Sequence, residues 1–471
     1  MVTAMIVIFI LGYVFIALEN KTGINKAAVA LILGMFLWTL FIFSAASTVI
    51  QANATSFSEF LAAHKEYLSL SKPEQVIQYI VNLQIVDHLG NVAEILFYLL
   101  GAMTIVELMD IHKGFEGITR RITTRNKKKL LWLIGFITFF MSSVLDNMTS
   151  AIVMIMLLQK LLDKPQERWI FGSVVVIAAN AGGAWTPIGD VTTIMLWIND
   201  NITSGDVIRS LFFPSVAALA FPLWIISLQL KGNVTPTADK SAGKDLNLVN
   251  RKESNIIFIL GILCLLSVPV FKSLTHLPPF AGILLALGLL WVYMDIFYNR
   301  KKNLTPAQQF RLPYVLSKVD FPTILFFFGI LMAVAALEAV GVLKDLSVFL
   351  DQDVHNVYIV SIIIGFLSSV IDNVPLVAAS MGMYPVLSPQ AAAAMPEPAY
   401  MANFVQDGTF WELIAYCAGT GGSILIIGSA AGVVVMGLEK INFMWYVKHI
   451  SGWAIVGFLA GIGIYILQKL L

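Results

Sequence analysis

Two segments of this chain, SSVLDN at 142–147 and SSVIDN at 368–373, set the same acid into otherwise apolar runs. An ionised aspartate at the centre of a bilayer costs about 2.5–3.5 kcal/mol on insertion scales. Such a residue persists only where protein or a wet cavity surrounds it and something neutralises it. The surrounding sequence shows that a bilayer is the relevant solvent. Of 471 residues 58% are hydrophobic and 13% charged, with a mean hydropathy of +0.82. Soluble domains usually carry about a quarter charged residues. Apolar runs recur from end to end, which makes the chain a polytopic, all-α membrane protein. The net charge of +1 gives no basis for binding nucleic acid.

Runs long enough to span fall near 2–18, 27–46, 92–109, 169–197, 207–229, 255–272, 279–298, 321–343, 411–437 and 442–468. The first lacks a basic flank and a cleavage site and is expected to be a retained span. Segments 130–158 and 354–387 hold the Asp-Asn pairs. Loop charge assigns sides. The connection before 130–158 carries Lys113, Arg120, Arg121, Arg125, Lys127, Lys128 and Lys129, and the one after it Lys160, Lys164 and Arg168. Both are expected to be cytoplasmic, so the segment between enters and leaves on one side, as a re-entrant hairpin. No Lys or Arg occurs between Lys344 and Lys440, where Asp351, Asp353, Glu397, Asp407 and Glu412 lie instead. The second hairpin is therefore expected to enter from outside. Both termini come out external, with Lys469 as a weak counter-signal.

The arrangement predicts two inverted repeats, each of five spans and one re-entrant hairpin. Residues 1–230 form the first (hairpin 130–158, broken helix 169–197). Residues 231–254 form a polar cytoplasmic linker. Residues 255–471 form the second repeat (hairpin 354–387, broken helix 411–437). Paired fragments support this: ILFYLLG (95–101) with ILFFFG (324–329), and AGGAWTPIG (181–189) with TGGSILIIG (420–428). Residues 47–90 are expected to hold interfacial helices. Cys264 and Cys417 read as packing residues and the six histidines as surface groups.

Inverted repeats with interrupted helices place transport sites near the midplane. Four breaks are expected to meet there. Two are the tips, Asp146-Asn147 with Thr149 and Asp372-Asn373. The others are Asn180 with Gly182, Gly183, Pro187 and Gly189, and Thr420 with Gly421, Gly422, Ser423 and Gly428. Glycine pairs let a helix unwind and free carbonyls. Together with Asp190, Thr192 and Thr193, these oxygens suit a small hard cation. Asp146, Asn147, Asp372 and Asn373 are the expected Na⁺ ligands. Neither motif segment contains Lys or Arg, and the one histidine in them, His355, stands at the start of 354–387, far from Asp372, so each acid must be neutralised by a cation or a proton. An acid that accepts either can exchange them. The alternative role for Asp146 and Asp372 is helix capping. Asp190 matches Ser429 in the other repeat, so the site is not symmetric.

SSVLDNMTSAIVMI, NAGGAWTPIGDVTTIMLW, SSVIDNVPLVAAS and the GTGGS break resemble the NhaD-type sodium/proton antiporters of the ion transporter superfamily, related to arsenite and dicarboxylate transporters. The resemblance covers nearly the whole chain. It implies export of Na⁺ or Li⁺ driven by protons, with no cofactor and no enzymatic activity, from a bacterial inner membrane. It also implies a scaffold domain that forms a homodimer in the lipid and a transport domain, holding the hairpins, that moves. The dicarboxylate branch has a neutral Ser-Asn-Thr at its tips, whereas here each tip carries an acid. Arsenite efflux or sodium-coupled anion transport on the same fold is the alternative. An intramembrane aspartyl protease is disfavoured because Pro187-Ile188-Gly189 before Asp190 lacks the first glycine of Gly-x-Gly-Asp.

Overall fold

The computed structural model describes residues 1–17, 19–43, 53–115, 122, 124–234, 250–301 and 309–470. Most of the linker, 235–249, lies outside them, as do Arg120 and Arg121. The described chain is almost wholly helical and contains no named strand. Seven of its helices are long and apolar enough to cross a membrane: 72–111, 127–145, 204–229, 251–275, 279–300, 321–339 and 443–470. The helices Val2–Ala17 and Lys26–Ile42, at 16 and 17 residues, fall just short. The expected spans 169–197 and 411–437 are each split in two. The first becomes Pro165–Gly183 and Val191–Ile198, and the second Thr409–Gly421 and Ala430–Glu439.

Helix starts follow local chemistry. Ser71 and Glu74 form a capping box at the head of the 72–111 helix. That helix begins well before the predicted 92, because residues 72–91 mix polar side chains with apolar ones such as Val76, Tyr79 and Ile80, which are buried, and continue the span as helix. The first hairpin is also longer than predicted. Asn126 caps helix Lys127–Leu145 through the Lys129 N–H, so the basic triplet forms its first turn. Lysine stems at a helix end can lie along apolar surface with their ammonium groups in water. The helix stops at Asp146 and resumes as Asn147–Leu161. The second hairpin consists of Val357–Ser368 and Asn373–Met383.

The chain divides into two compact units. One comprises Met1–Phe97, Asp320–Val360 and Val374–Pro385. In it, helices Lys26–Ile42 and Phe321–Ala339 pack closely. Gly34 and Gly329 face the partner backbone with no room for a Cβ, and Trp38 Nε1 donates to the Met332 carbonyl at 2.9 Å. Short helices Ala54–Ala63 and Lys65–Ser69 precede the 72–111 helix. Phe57 and Phe60 stack edge-on against Tyr79 there.

The other unit comprises Tyr98–Val319, Ser361–Asn373 and Val386–Leu471. It contains both broken helices and both Asp-Asn pairs. Gly101 of the motif ILFYLLG packs on Ile283 of helix Pro279–Arg300. Its sequence counterpart Gly329 packs on Ala30 in the first unit. Each motif helix thus lies against the second long apolar helix of the opposite half of the chain. His112 departs from the surface expectation: it is fully buried, its Nδ1 at 2.7 Å from the Leu108 carbonyl and its Nε2 at 2.6 Å from the Tyr298 hydroxyl. Burial holds its imidazole below the usual histidine pKa. Cys417 is buried and Cys264 half-buried, and both are free thiols.

Candidate functional site

The hairpins dock on the broken helices through matching contacts. In the first half, Ser142 Oγ donates to the Ala179 carbonyl at 2.5 Å. In the second, Ser368 Oγ donates to the Ala418 carbonyl at 2.6 Å. Gly182 lies against the Phe139 carbonyl and Gly421 against that of Gly365, and any Cβ at either glycine would collide with backbone. These glycines permit close hairpin approach, and each lies in the last helical turn before its break. The breaks contain Pro187 and Gly189 in one case and Gly422 and Gly428 in the other. Gly183 is packed against Gly189, and Gly422 against Gly428. Beyond each break the next helix starts from an extended residue: Asp190 at φ −146° and ψ 150°, Ser429 at φ −146° and ψ 155°. One backbone geometry therefore carries an acid in one half and a hydroxyl in the other.

Asp190 is the centre of the polar network. It is 1% exposed. Asn147 Nδ2 donates to its Oδ2 at 2.6 Å, and Asn373 Nδ2 lies 3.3 and 3.4 Å from its two carboxylate oxygens. The Thr192 N–H donates to Oδ1 at 3.0 Å. Asn147 and Asn373 are the first residues of the second arms of the two hairpins. The tips of both hairpins thus meet on one carboxylate. Asn147 also donates to Asn180 Oδ1 at 3.1 Å. Asn180 Nδ2 in turn donates to the hydroxyls of Ser423 at 3.0 Å and Ser429 at 2.9 Å. Every residue of this network belongs to the second unit.

Other predicted residues lie at its edge. Asp146 accepts from the Thr149 N–H at 2.8 Å and the Thr149 hydroxyl at 2.7 Å, the bonds of a helix cap. Its backbone, at φ 110° and ψ 160°, occupies a region that is essentially glycine-only, at a cost of about 1–3 kcal/mol. Asp372 directly precedes Asn373 at the other tip and is half-buried, with no positive φ. Thr193 Oγ1 donates to the Asp190 carbonyl at 2.9 Å, and Thr420 Oγ1 to the Tyr416 carbonyl at 2.6 Å, so both hydroxyls serve their own helices. The Ser423 carbonyl accepts from Tyr446 at 2.7 Å. The sequence reading noted Ser429 only as the counterpart of Asp190. Its hydroxyl is nonetheless part of the network, and that equivalence was the signal that could have found it.

Chemically, this is a buried carboxylate whose hydrogen-bond donors are all neutral. The bonds orient it without cancelling its charge. Lys, Arg and His are absent from its hydrogen-bonding partners among the described residues. A compensating charge must be mobile, and a proton or a small cation fits. Hydroxyl and amide oxygens nearby are the hard donors such a cation takes.

Comparison with known proteins is consistent across the length of the chain. A family model described as citrate transporter, CitMHS, matches residues 13–405. An Arabidopsis thaliana protein named sodium/proton antiporter 1 is 44% identical over 464 residues, covering 98% of this chain and 72% of its own. Sodium/proton antiporter 2 of the same plant is 43% identical over 471 residues, 98% of each. The Na(+)/H(+) antiporter NhaD of Vibrio cholerae is 26% identical over 493 residues, 98% of this chain and 91% of its own.

Proposed function

Since the chain belongs to the citrate transporter family, whose relatives at 43–44% identity are named sodium/proton antiporters, we propose that it is an integral membrane transporter that exports Na⁺, or Li⁺, in exchange for H⁺. It is a transporter, not an enzyme, and its substrates are the ions themselves, with no cofactor. The observation that carries this reading is the Asp190 carboxylate, gripped by Asn147 and Asn373 from the two hairpin tips with no cationic side chain among its hydrogen-bonding partners.

In this account Asp190 binds either Na⁺ or H⁺, and Asp146 and Asp372 at the adjoining tips supply further negative charge. Asn147, Asn180, Asn373, Thr149, Thr192, Thr193, Thr420 and Ser423 offer oxygen ligands as the breaks at 184–190 and 422–429 rearrange. Alternating access then exposes one site to each side in turn. The two halves of the chain act as inverted repeats, with 231–254 linking them. A homodimer formed through the scaffold domain and a bacterial inner membrane complete the proposal. The relatives at 43–44% identity are plant proteins, and the NhaD relative at 26% is from a bacterium.

The family description raises citrate as the second reading. A citrate carboxylate would need amide and helix-start donors of the kind that Asn147 and Asn373 provide. Here those donors are already engaged by a carboxylate of the protein itself, and a second anion beside it would be repelled. Reconstitution separates the two readings. In proteoliposomes with an imposed proton gradient, Na⁺ or Li⁺ should collapse the gradient and citrate should not accumulate. Citrate uptake with no cation-dependent proton flux would reverse the assignment.

A further inference from the structure

A second buried acid lies outside the Asp190 network. Glu412, in the first turn of helix Thr409–Gly421, has a side chain 0% exposed. Its Oε2 accepts from the Tyr465 hydroxyl and pairs with Lys469 Nζ at 2.8 Å. Its Oε1 is buried and receives no hydrogen bond. The Asp206 carboxyl, in the first turn of helix Ser204–Gln229, lies within hydrogen-bonding reach of Glu412. Two ionised carboxylates are both acceptors and repel each other, and a buried acceptor without a donor costs about 1–3 kcal/mol. One proton between them converts the pair into donor and acceptor.

We propose that Asp206 and Glu412 form a proton-binding carboxyl pair, separate from the Asp190 centre, that holds one exchangeable proton. The charged and titratable groups around it come from three elements. Lys469 and Tyr465 lie on the last helix. Asp407 lies on the loop before helix Thr409–Gly421, where its carboxylate accepts from the Thr203 N–H at 2.5 Å and the Thr203 hydroxyl at 2.9 Å. Asp206 itself lies within reach of Ser210, whose hydroxyl is 3.4 Å from Oδ2. Three carboxyls against one lysine leave an excess of negative charge, which favours retention of a proton. Lys469 limits that retention, so the proton is exchangeable rather than permanent. Neither Asp206 nor Glu412 hydrogen-bonds to a residue of the Asp190 network, so the proposal stands independently of the transport reading.

Infrared difference spectroscopy tests this on the purified full-length protein, titrated from mildly acid to alkaline pH. A protonated carboxyl has a C=O band distinct from that of a carboxylate. In the wild type a carboxyl band should disappear as the pair loses its proton. Asp206→Asn should abolish that band while the protein stays folded, because the amide N–H donates to Glu412 in place of the proton. Glu412→Gln should abolish the same band. Lys469→Met should move its loss to higher pH, since removing the cation makes the proton harder to release. If the Asp206→Asn spectra superimpose on wild type at every pH, both groups are ionised throughout and the pair is not a proton site. Asp206→Asn decides the question even if Glu412→Gln does not fold.

Discussion

Asp190→Asn is expected to abolish Na⁺/H⁺ exchange while leaving a folded protein. The side chains are nearly isosteric, and asparagine can also cap the helix that begins at Val191. Neutralising a buried acid relieves a desolvation cost rather than adding one. What disappears is the attraction for the cation. Two unit charges about 4 Å apart at an effective dielectric of about 20 attract by about 4 kcal/mol. That corresponds to about a thousandfold in binding, so Na⁺ at working concentrations should no longer load. Proton-gradient collapse by Na⁺ in proteoliposomes should fall to the protein-free level. The hydrogen bonds from Asn147 and Asn373 make the change specific, because these donors remain with only a neutral acceptor to hold. Exchange at even a tenth of the wild-type rate would place the ion elsewhere.

The hairpin acids give the second large effect. Asp146→Asn preserves a capping side chain over Thr149 and deletes only the charge. Asp146→Ala deletes both, and losing the cap alone costs about 0.5–2 kcal/mol of stability. If Asp146 contributes charge to the transported ions, both variants lose exchange and only the alanine variant loses thermal stability. If Asp146 is a cap alone, the asparagine variant transports like wild type. Asp372→Asn should also lose exchange, with little change in stability. Flux and melting temperature, measured on the same preparations, separate charge from capping.

The residues that bring these effects together were legible where sequence carries local information. An acid in an apolar run, a glycine pair, and a proline a few positions later each mark an interruption without any knowledge of tertiary contacts. The helix ends at Leu145 and Gly183 fall where those signals stand. The identity of the central residue was less legible. Asp146 and Asp372 repeat and therefore draw attention, yet the hydrogen bonds from both hairpins converge on Asp190, whose counterpart in the other half is Ser429 and not an acid. Repetition reports the scaffold, whereas the difference between copies marks the charge. In sequence, Glu412 is only one of several acids in a stretch without Lys or Arg. Its partners Tyr465 and Lys469 lie on a different helix, and no spacing rule connects them. Lys469, the weak counter-signal at the C-terminus, is paired with the buried Glu412 carboxylate. His112 departs from the surface expectation because a loop-end position says nothing about the Tyr298 hydroxyl that meets it.

The central claim is that Na⁺ and H⁺ compete for the same carboxylate, and it is tested most directly by the apparent Na⁺ constant measured with equal pH on both sides of the membrane. If Na⁺ must displace a proton, apparent affinity weakens about tenfold for each unit by which pH falls below the range where the site is deprotonated, about 1.4 kcal/mol per unit. Above that range it levels off, so exchange should be fastest at alkaline pH. A Na⁺ constant that stays flat from acid to alkaline pH would mean separate sites for the two ions and would contradict exchange at Asp190.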